Sequence, residues 1–464
     1  MSEDGLQQAR QKMSKAGVHP QAIEVFARHY RDLESGATGM IAEDDIEPVT
    51  DLPLLGEVDV DETAATQALA ATAVVKLNGG LGTSMGMDRA KSLLPVRGDA
   101  TFLDVVVRQV LATRRAYGVR LPLLLMNSFR TRDDTLAALG RHPELAVEGL
   151  PADFLQNREP KLRADDLTPV EWAADPDLEW CPPGHGDLYT ALEASRVLRQ
   201  LLDAGYRYAS VSNSDNLGAS PSPAVVGWFA ASGAPYAAEV CRRTPADRKG
   251  GHLVRRRADG RLVLRETAQT QPADAEVAAD IDRHPYFHTN NLWFDLRALA
   301  DTLADRDGVL GLPLIRNEKT VDPSDPSSTP VVQVESAMGA AVEVFDGAIA
   351  IEVDRSRFLP VKTTNDLLLM RSDAYDLDDD GLLRRRGDRV AVVDLDKAHY
   401  ALLRDCDARF PAGPPSLVGA RSLTVHGDWT FGHDVVVTGD AVVGDDADSY
   451  GAVPNRARLG SAPE

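Results

Sequence analysis

A loop of residue types suited to phosphate binding follows the apolar stretch from Ala73 to Leu77. It carries glycines at 79, 80, 82 and 86 and ends on Lys91. Glycines let backbone N–H groups come close to phosphate oxygens and take positive φ without a Cβ clash. A lysine just beyond adds a mobile point charge for the same oxygens. Such a loop could hold a nucleotide phosphate at the end of a strand. Two well-known phosphate loops do not describe it. The dinucleotide fingerprint, counted from Gly80 and Gly82, needs glycine where Met85 stands, and the Walker A pattern needs glycine where Ala90 stands. The loop alone is also compatible with a glycine-rich turn of an ordinary α/β protein.

Further candidates lie downstream. Asp215, in NSDNLGA, ends a strand pattern. A lone carboxylate there could serve Mg²⁺, which uses few protein ligands, or form an Asx turn or helix cap. Asn213, two residues earlier, should face the same side of the strand. In PPGHGD (182 to 187) two prolines stiffen a loop that Gly184 and Gly186 open, and a base could lie against that backbone. His185 has no His or Cys partner at metal spacing, so it is not a zinc ligand. His284 and His288 are four apart, but Pro285 argues against one helix carrying both. Thr289, Asn290 and Asn291, with Glu335 in QVES, are a plausible hydroxyl-binding set, although Asn-Asn also marks turns.

The elements that must position these residues alternate. The spacing predicts a strand at VVKLN, a helix at TFLDVVVRQVLATRRAYG, a strand at PLLLMNS and a helix at TRDDTLAALGRH. A helix over 189 to 205 and a strand at YASVSNSDN follow. This is the βαβ rhythm of an open, mostly parallel sheet with helices on both faces. Ligands bind outside the carboxyl ends of such strands, where the glycine loop, Asn127 and Asp215 all fall. Before this core, residues 5 to 35 read as two helices broken at Gly17-Val18-His19-Pro20, and an acidic connector runs from about 42 to 63. After it, Asp428, Asp434, Asp440 and Asp446 recur every six residues, as do Val425, Phe431, Val437 and Val443. A six-residue period predicts a β-helix, or failing that a pair of hairpins. The tail after Tyr450 reads as disordered. The expected organisation is a helical segment and connector at 1–70, a catalytic domain at 71–375 and a β-helix-like domain at 376–464.

Bulk properties narrow the class. With 464 residues the chain should hold more than one domain, and 43% hydrophobic residues can bury a core. A net charge of -21 argues against a nucleic-acid partner. Cys181, Cys241 and Cys406 are far apart with no CxxC pair, as expected in a reducing compartment. No apolar run approaches a membrane span and the N-terminus is polar, so the expectation is a cytoplasmic protein.

LNGGLGTSMGMDRAKS (77 to 92) resembles the signature of the eukaryotic-type UTP–glucose-1-phosphate uridylyltransferases. PPGHGDLYTAL, NSDNLGA, FHTNNLWF, QVESAMGAAVEVF and SRFLPVKTTNDLLLMRSDAY match the same family in the same order. The resemblance implies a Rossmann-like, glycosyltransferase-A-like nucleotidyltransferase core with a mixed sheet, followed by a left-handed β-helix-like domain. It implies UTP and glucose 1-phosphate as substrates, Mg²⁺ as cofactor, and homo-oligomer contacts through the C-terminal domain in some members. It places Lys91 and Lys362 on the phosphates as catalytic cations and makes Asp215 the metal ligand. Gln156 would read the uracil edge, which an amide can both donate to and accept from. Leu77, Asn78, Gly79, Gly80, Gly184 and Asn213 complete the nucleotide set. His185 would contact the sugar phosphate, and Asn213, Thr289, Asn290, Asn291 and Glu335 the sugar.

The chain departs from the family at two places. Arg89-Ala90 stands where the family usually has Gly-Pro, and His288 stands where it usually has Asn. The second lies beside the sugar residues and bears on the choice of sugar. Rival readings are a pyrophosphorylase for galactose 1-phosphate or an N-acetylhexosamine 1-phosphate, a hexapeptide-repeat acyltransferase, and a non-catalytic nucleotide-sugar regulator. The acyltransferase would need many more coils than about four hexads, and intact Lys91, Asp215 and Lys362 argue against the regulator.

Overall fold

The computed structural model describes residues 3–244, 247, 248, 250–387 and 389–461. The helices Glu3–Lys15 and Pro20–Glu34 are separated as expected, with Pro20 opening the second and His19 accepting the Gln21 N–H. Their buried face, including Phe26, Tyr30 and Leu33, packs on Leu314, Val332 and Val334.

The centre is the strand Thr72–Asn78, buried at every position. Parallel neighbours flank it: Tyr208–Asn213, with Asn213 beside Leu77, and Leu123–Asn127, with Asn127 beside Asn78. Asp153–Leu155 extends this parallel half. The strand pleat sends Ala73, Val75 and Leu77 to one core with the helices Leu188–Ala194 and Val197–Asp203. Val74 goes to the opposite core, under the helix Phe102–Tyr117. Thr101 and Asp104 cap that helix reciprocally, a device worth about 1 kcal/mol.

Beyond Tyr208–Asn213 the sheet changes character. The long strand Tyr286–Asp295 runs antiparallel to it and also pairs antiparallel with Tyr236–Arg242. A mostly parallel sheet was expected; the parallel rhythm holds for the first half and fails here. The reason is local. Residues 252–265 form a hairpin, His252–Arg256 with Leu262–Arg265, and a hairpin reverses direction where a parallel pair would need a longer crossover. The helix expected over 189 to 205 is likewise two helices. Arg196 takes φ 62°, and the Ser195 hydroxyl donates back to the Ala191 carbonyl.

The C-terminal strands Val392–Leu395, Ser416–Val425, Val436–Val443 and Arg458–Gly460 form one parallel sheet, and Asp428–Phe431 pairs parallel with Tyr450–Val453. Val425, Phe431, Val437 and Val443 all point into one core. The stretch expected to be disordered therefore carries two strands as far as Gly460. Its polar composition hides them, because their hold is the backbone ladder plus one buried side chain, Val453. Residues 462–464 lie outside the described residues. The three cysteines are free and buried. Among the described residues no helix is long and apolar enough to cross a membrane.

Candidate active site

The register of the parallel strands brings their carboxyl ends level, so the loops that follow share one edge. In the first loop Gly82 and Gly86 take φ 67° and 74°, and the Lys91 N–H donates to the Gly80 carbonyl at 3.0 Å. This fold-back sets Lys91 over the loop and leaves open space where Gly80 lacks a side chain. Lys91 Nζ lies 2.6 Å from Asp215 Oδ2. The pair is the meeting of two strand ends predicted separately from the sequence.

The other oxygen, Asp215 Oδ1, is buried and has no hydrogen-bond partner among the described residues. Among the described residues no three His, Cys, Asp or Glu side chains are grouped to hold a metal. The donor set therefore fits a hard cation that takes one carboxylate oxygen from the protein and the rest from phosphates and water, and does not fit a closed all-protein site.

Lys362 enters from the far end of the chain. It is exposed and makes no ion pair among the described residues. Asp366 Oδ2 accepts its backbone N–H at 2.8 Å and caps the helix Thr364–Arg371. Two bonds fasten its segment to the Asp215 loop: Leu359 N–H to Asn216 Oδ1 at 2.8 Å and Val361 N–H to the Asp215 carbonyl at 3.3 Å. Asn213, Asp215, Asn290 and Lys362 line a single cavity of about 100 Å³. Glu266 lines it too, its carboxyl raised by burial and drawn back by Lys362.

On the opposite side Gln156 faces Gly79 and Gly184. Its Nε2 donates to the Gly184 carbonyl at 2.9 Å, and a Cβ on Gly79 would stand 2.8 Å from its Oε1. The loop of Gly184 is zipped to Ser336 through Gly186 N–H to Ser336 O at 2.8 Å and Ser336 N–H to Pro183 O at 3.0 Å. Glu335 is thereby set beside Gly184. His185 Nδ1 accepts the Met338 N–H at 2.9 Å, which puts the ring proton on Nε2. Burial lowers its pKa to about 4, so the ring is a neutral donor.

Not every expected side chain faces this space. Asn78 donates inward to Asn127 Oδ1 at 2.7 Å and Thr135 Oγ1 at 2.9 Å. Thr289 donates to the Glu239 carbonyl at 2.7 Å, and Asn291 to Glu239 Oε2 and the Arg357 carbonyl. Thr289 and Asn291 are spent on scaffold around a bulge where Glu239 and Val240 face Asn291 and His288, and Asn290, at φ 59°, lines the cavity from it. Leu77 contributes backbone only, its carbonyl accepting the Ser214 N–H at 3.0 Å.

Sequence reasoning missed Glu239, Arg357, Asp187 and Lys76. Glu239 is a lone carboxylate within the apolar strand YAAEVC, and Lys76 a lone lysine within VVKLN; isolated charges in buried strands signal fixed partners. Lys76 Nζ donates to Ser212 Oγ at 2.7 Å and the Ala219 carbonyl at 2.8 Å, and burial lowers its pKa to about 7. Asp187 stands inside PPGHGD and accepts from Asn157 N–H at 2.6 Å and Nδ2 at 2.9 Å.

With this geometry in place, comparison with known proteins is decisive. The model of the UTP–glucose-1-phosphate uridylyltransferase family matches residues 23–438. The chain belongs to that family. It is 37% identical over 375 residues to the probable UTP–glucose-1-phosphate uridylyltransferase of Schizosaccharomyces pombe, covering 80% of this chain and 72% of the relative. With the barley (Hordeum vulgare) enzyme of the same name it shares 36% identity over 98% of this chain and 95% of the relative. A single-substitution mutant of Leishmania major UDP-glucose pyrophosphorylase, solved in complex with UDP-glucose, superposes with TM-score 0.92 at 41% identity, covering 98% of each chain. Family membership thus spans the loops that carry Lys91, Asp215, Asn290 and Lys362.

Proposed function

We propose that this chain catalyses UTP + glucose 1-phosphate → UDP-glucose + pyrophosphate. The observation that carries the reading is the contact of Lys91 with Asp215, which lines one cavity with Lys362, in a member of this family. A phosphate oxygen of glucose 1-phosphate attacks the α-phosphorus of UTP, and the bond to the oxygen bridging to the β-phosphorus breaks. The phosphate is already nucleophilic, so no general base is needed; alignment and offset of repulsion are the main terms.

Each residue has a place in that task. Lys91 stabilises the α-phosphate and the departing pyrophosphate, and Lys362 the sugar phosphate. Asp215 Oδ1 would hold Mg²⁺, which when bound neutralises phosphate oxygens. Gln156, Leu77, Asn78, Gly79, Gly80, Gly184 and Asn213 frame the nucleotide, Asn78 by setting the strand end. His185 donates to the sugar phosphate through Nε2. Asn290 and Glu335 meet the sugar, with Thr289 and Asn291 holding Asn290 in place.

The core is read as Rossmann-like, of glycosyltransferase-A type, within residues 71–375. Residues 1–70 are read as a helical segment and connector, whose helices Glu3–Lys15 and Pro20–Glu34 pack on it, and 376–464 is read as a left-handed β-helix. The stacking of Val425 on Val443, 18 residues on, supports that coil of three hexads. Exposed Val442 and Tyr450, at 67% and 82%, offer a surface for a homo-oligomer. A cytoplasmic site of action fits buried free thiols.

The test is pyrophosphate release from purified protein with Mg²⁺ and UTP. Glucose 1-phosphate is run against galactose 1-phosphate and N-acetylglucosamine 1-phosphate, with ATP and dTTP controls. Release requires UTP and glucose 1-phosphate together. Release with another sugar alone moves the substrate, and none with any pair overturns the reading.

A further inference from the structure

Lys362 stands just before the helix Thr364–Arg371, and the far end of that helix is closed by a residue from another part of the chain. The last carbonyls of a helix have no partner within it. Here the Ser372 N–H takes those of Leu368 and Leu369. Those of Met370 and Arg371 go to Arg97, whose Nη2 donates to the first at 3.3 Å and Nη1 to the second at 3.0 Å. The same Nη2 donates to the Tyr375 carbonyl at 2.7 Å, just past the helix. Arg371 returns the grip, its Nε and Nη2 donating to the Pro95 carbonyl at 3.2 and 2.9 Å. Two arginines thus cross between the strand Pro95–Arg97 and the helix end. Beneath them Val96, Leu367 and Met370 are buried in one core.

That strand continues the glycine loop. Lys91 opens the turn Lys91–Leu93, which leads directly into Pro95–Arg97. Lys91 has fastenings of its own, the Gly80 carbonyl on its N–H and Asp215 on its Nζ. Lys362 has no ion pair among the described residues, so the reach of its ammonium is set by the backbone that carries it. That backbone is held in front by the Val361 N–H on the Asp215 carbonyl and behind, through the helix, by Arg97. Eight residues make a strut of about 12 Å. Freeing its far end lets it tilt and carries the lysine with it.

We propose that Arg97 is a positioning residue for Lys362. By closing the helix end onto the strand that follows Lys91, it fixes the second lysine relative to the first. This rests on the proposed function, in which Lys362 meets the sugar phosphate.

The experiment is a double-mutant cycle. Arg97→Met keeps the apolar stem and removes all three donated bonds. It should lower kcat/KM for glucose 1-phosphate about tenfold while KM for UTP does not move. In a Lys362→Ala background the same change should cost less than about twofold, because no amine is left to misplace. In a Lys91→Ala background the tenfold loss should persist. Distant sites ordinarily add, so a penalty that vanishes with Lys362 alone identifies what Arg97 acts through. A purely structural loss would lower the melting midpoint and the rate in every background alike. Arg97→Lys keeps the charge but not the forked geometry, and should recover part of the rate. Should Arg97→Met fail to fold, Arg97→Lys is carried through the same cycle, and its smaller penalty must vanish with Lys362→Ala. A penalty that persists in full without Lys362, or wild-type kinetics in Arg97→Met, overturns the proposal and leaves the enzyme reading intact. A wild-type protein inactive with UTP and every sugar 1-phosphate overturns the enzyme reading and this proposal with it.

Discussion

Arg357 grips Glu239 with two guanidinium nitrogens, Nε to Oε2 at 2.6 Å and Nη2 to Oε1 at 2.7 Å. Trp293 Nε1 adds a bond to Oε1 at 2.8 Å. Burial alone would push this carboxyl up, and the guanidinium holds it below the usual carboxylate range. The pair also reaches outward. The Arg357 carbonyl accepts the amides of Asn216 and Asn291, each at 3.1 Å, and its Nη1 donates to the Ser220 carbonyl at 3.2 Å. One buried ion pair therefore locks the loop of Asp215, the segment leading to Lys362 and the strand of Asn290 into a single frame.

Breaking that frame should cost stability and rate together. Glu239→Gln leaves a buried guanidinium uncompensated, an effect of about 3–5 kcal/mol, and should lower the melting midpoint sharply. Arg357→Lys keeps the charge but loses the two-pronged geometry. It should fold and yet lose about tenfold or more in kcat, since small misplacements of reacting groups are costly. Melting curves and steady-state rates check both. An Arg357→Lys protein with full kcat would confine the pair to a stabilising role.

The two lysines should separate by their structural surroundings. Lys362→Ala removes an exposed side chain that has no ion pair among the described residues and should leave the melting midpoint unchanged. Lys91→Ala leaves the largely buried Asp215 carboxylate, 18% exposed, without its counter-charge and should lower the melting midpoint. Both should lower kcat by about 10²–10³, the usual loss of one charge-stabilising donor. Pyrophosphate release alongside thermal melts tests this, and retained turnover in either variant removes that lysine from the chemistry.

Asp187 gives a pH prediction with a definite sign. Burial raises its pKa to about 7 from an ordinary value of about 3.9. The folded protein thus holds this proton more tightly than the unfolded chain. Its contribution to stability is full below about pH 4 and is lost as pH rises to about 7. Function runs the other way. The carboxylate accepts from both Asn157 donors and so steadies Gln156 next door; protonation removes one acceptor. KM for UTP should rise as pH falls through about 7, and Asp187→Asn should flatten that rise. A profile identical in the variant would disprove the link.

The parts legible in the sequence were those written locally. Apolar runs ending in polar residues located the glycine loop, Asn127 and Asp215 at strand ends, and the rule that ligands bind beyond the carboxyl ends of parallel strands put them on one edge. The six-residue spacing marked Val425, Phe431, Val437 and Val443 as one core. Interactions between distant segments were not legible. Arg357 is 118 residues from Glu239, and nothing in either neighbourhood names the other. Asn78 and Asn291 have the residue type of ligand contacts, but the pleat and neighbouring acceptors turn their amides inward. The helix break at Arg196 rests on one left-handed residue that apolar periodicity does not register. Gln156 was found through resemblance; its setting against Gly79 and Gly184 exists only once the loops meet.

The contact between Lys91 and Asp215 has a consequence for how the site is entered. Each charge already has a counter-charge, so a triphosphate arriving bare would draw the ammonium away and strand a carboxylate beside its own negative oxygens. A triphosphate arriving with a cation would bring its own replacement, leaving Asp215 with a counter-charge and Lys91 free to meet the phosphate. On the proposed reading, the protein's own ion pair would act as a lock that a nucleotide bringing a cation opens more easily than the bare nucleotide.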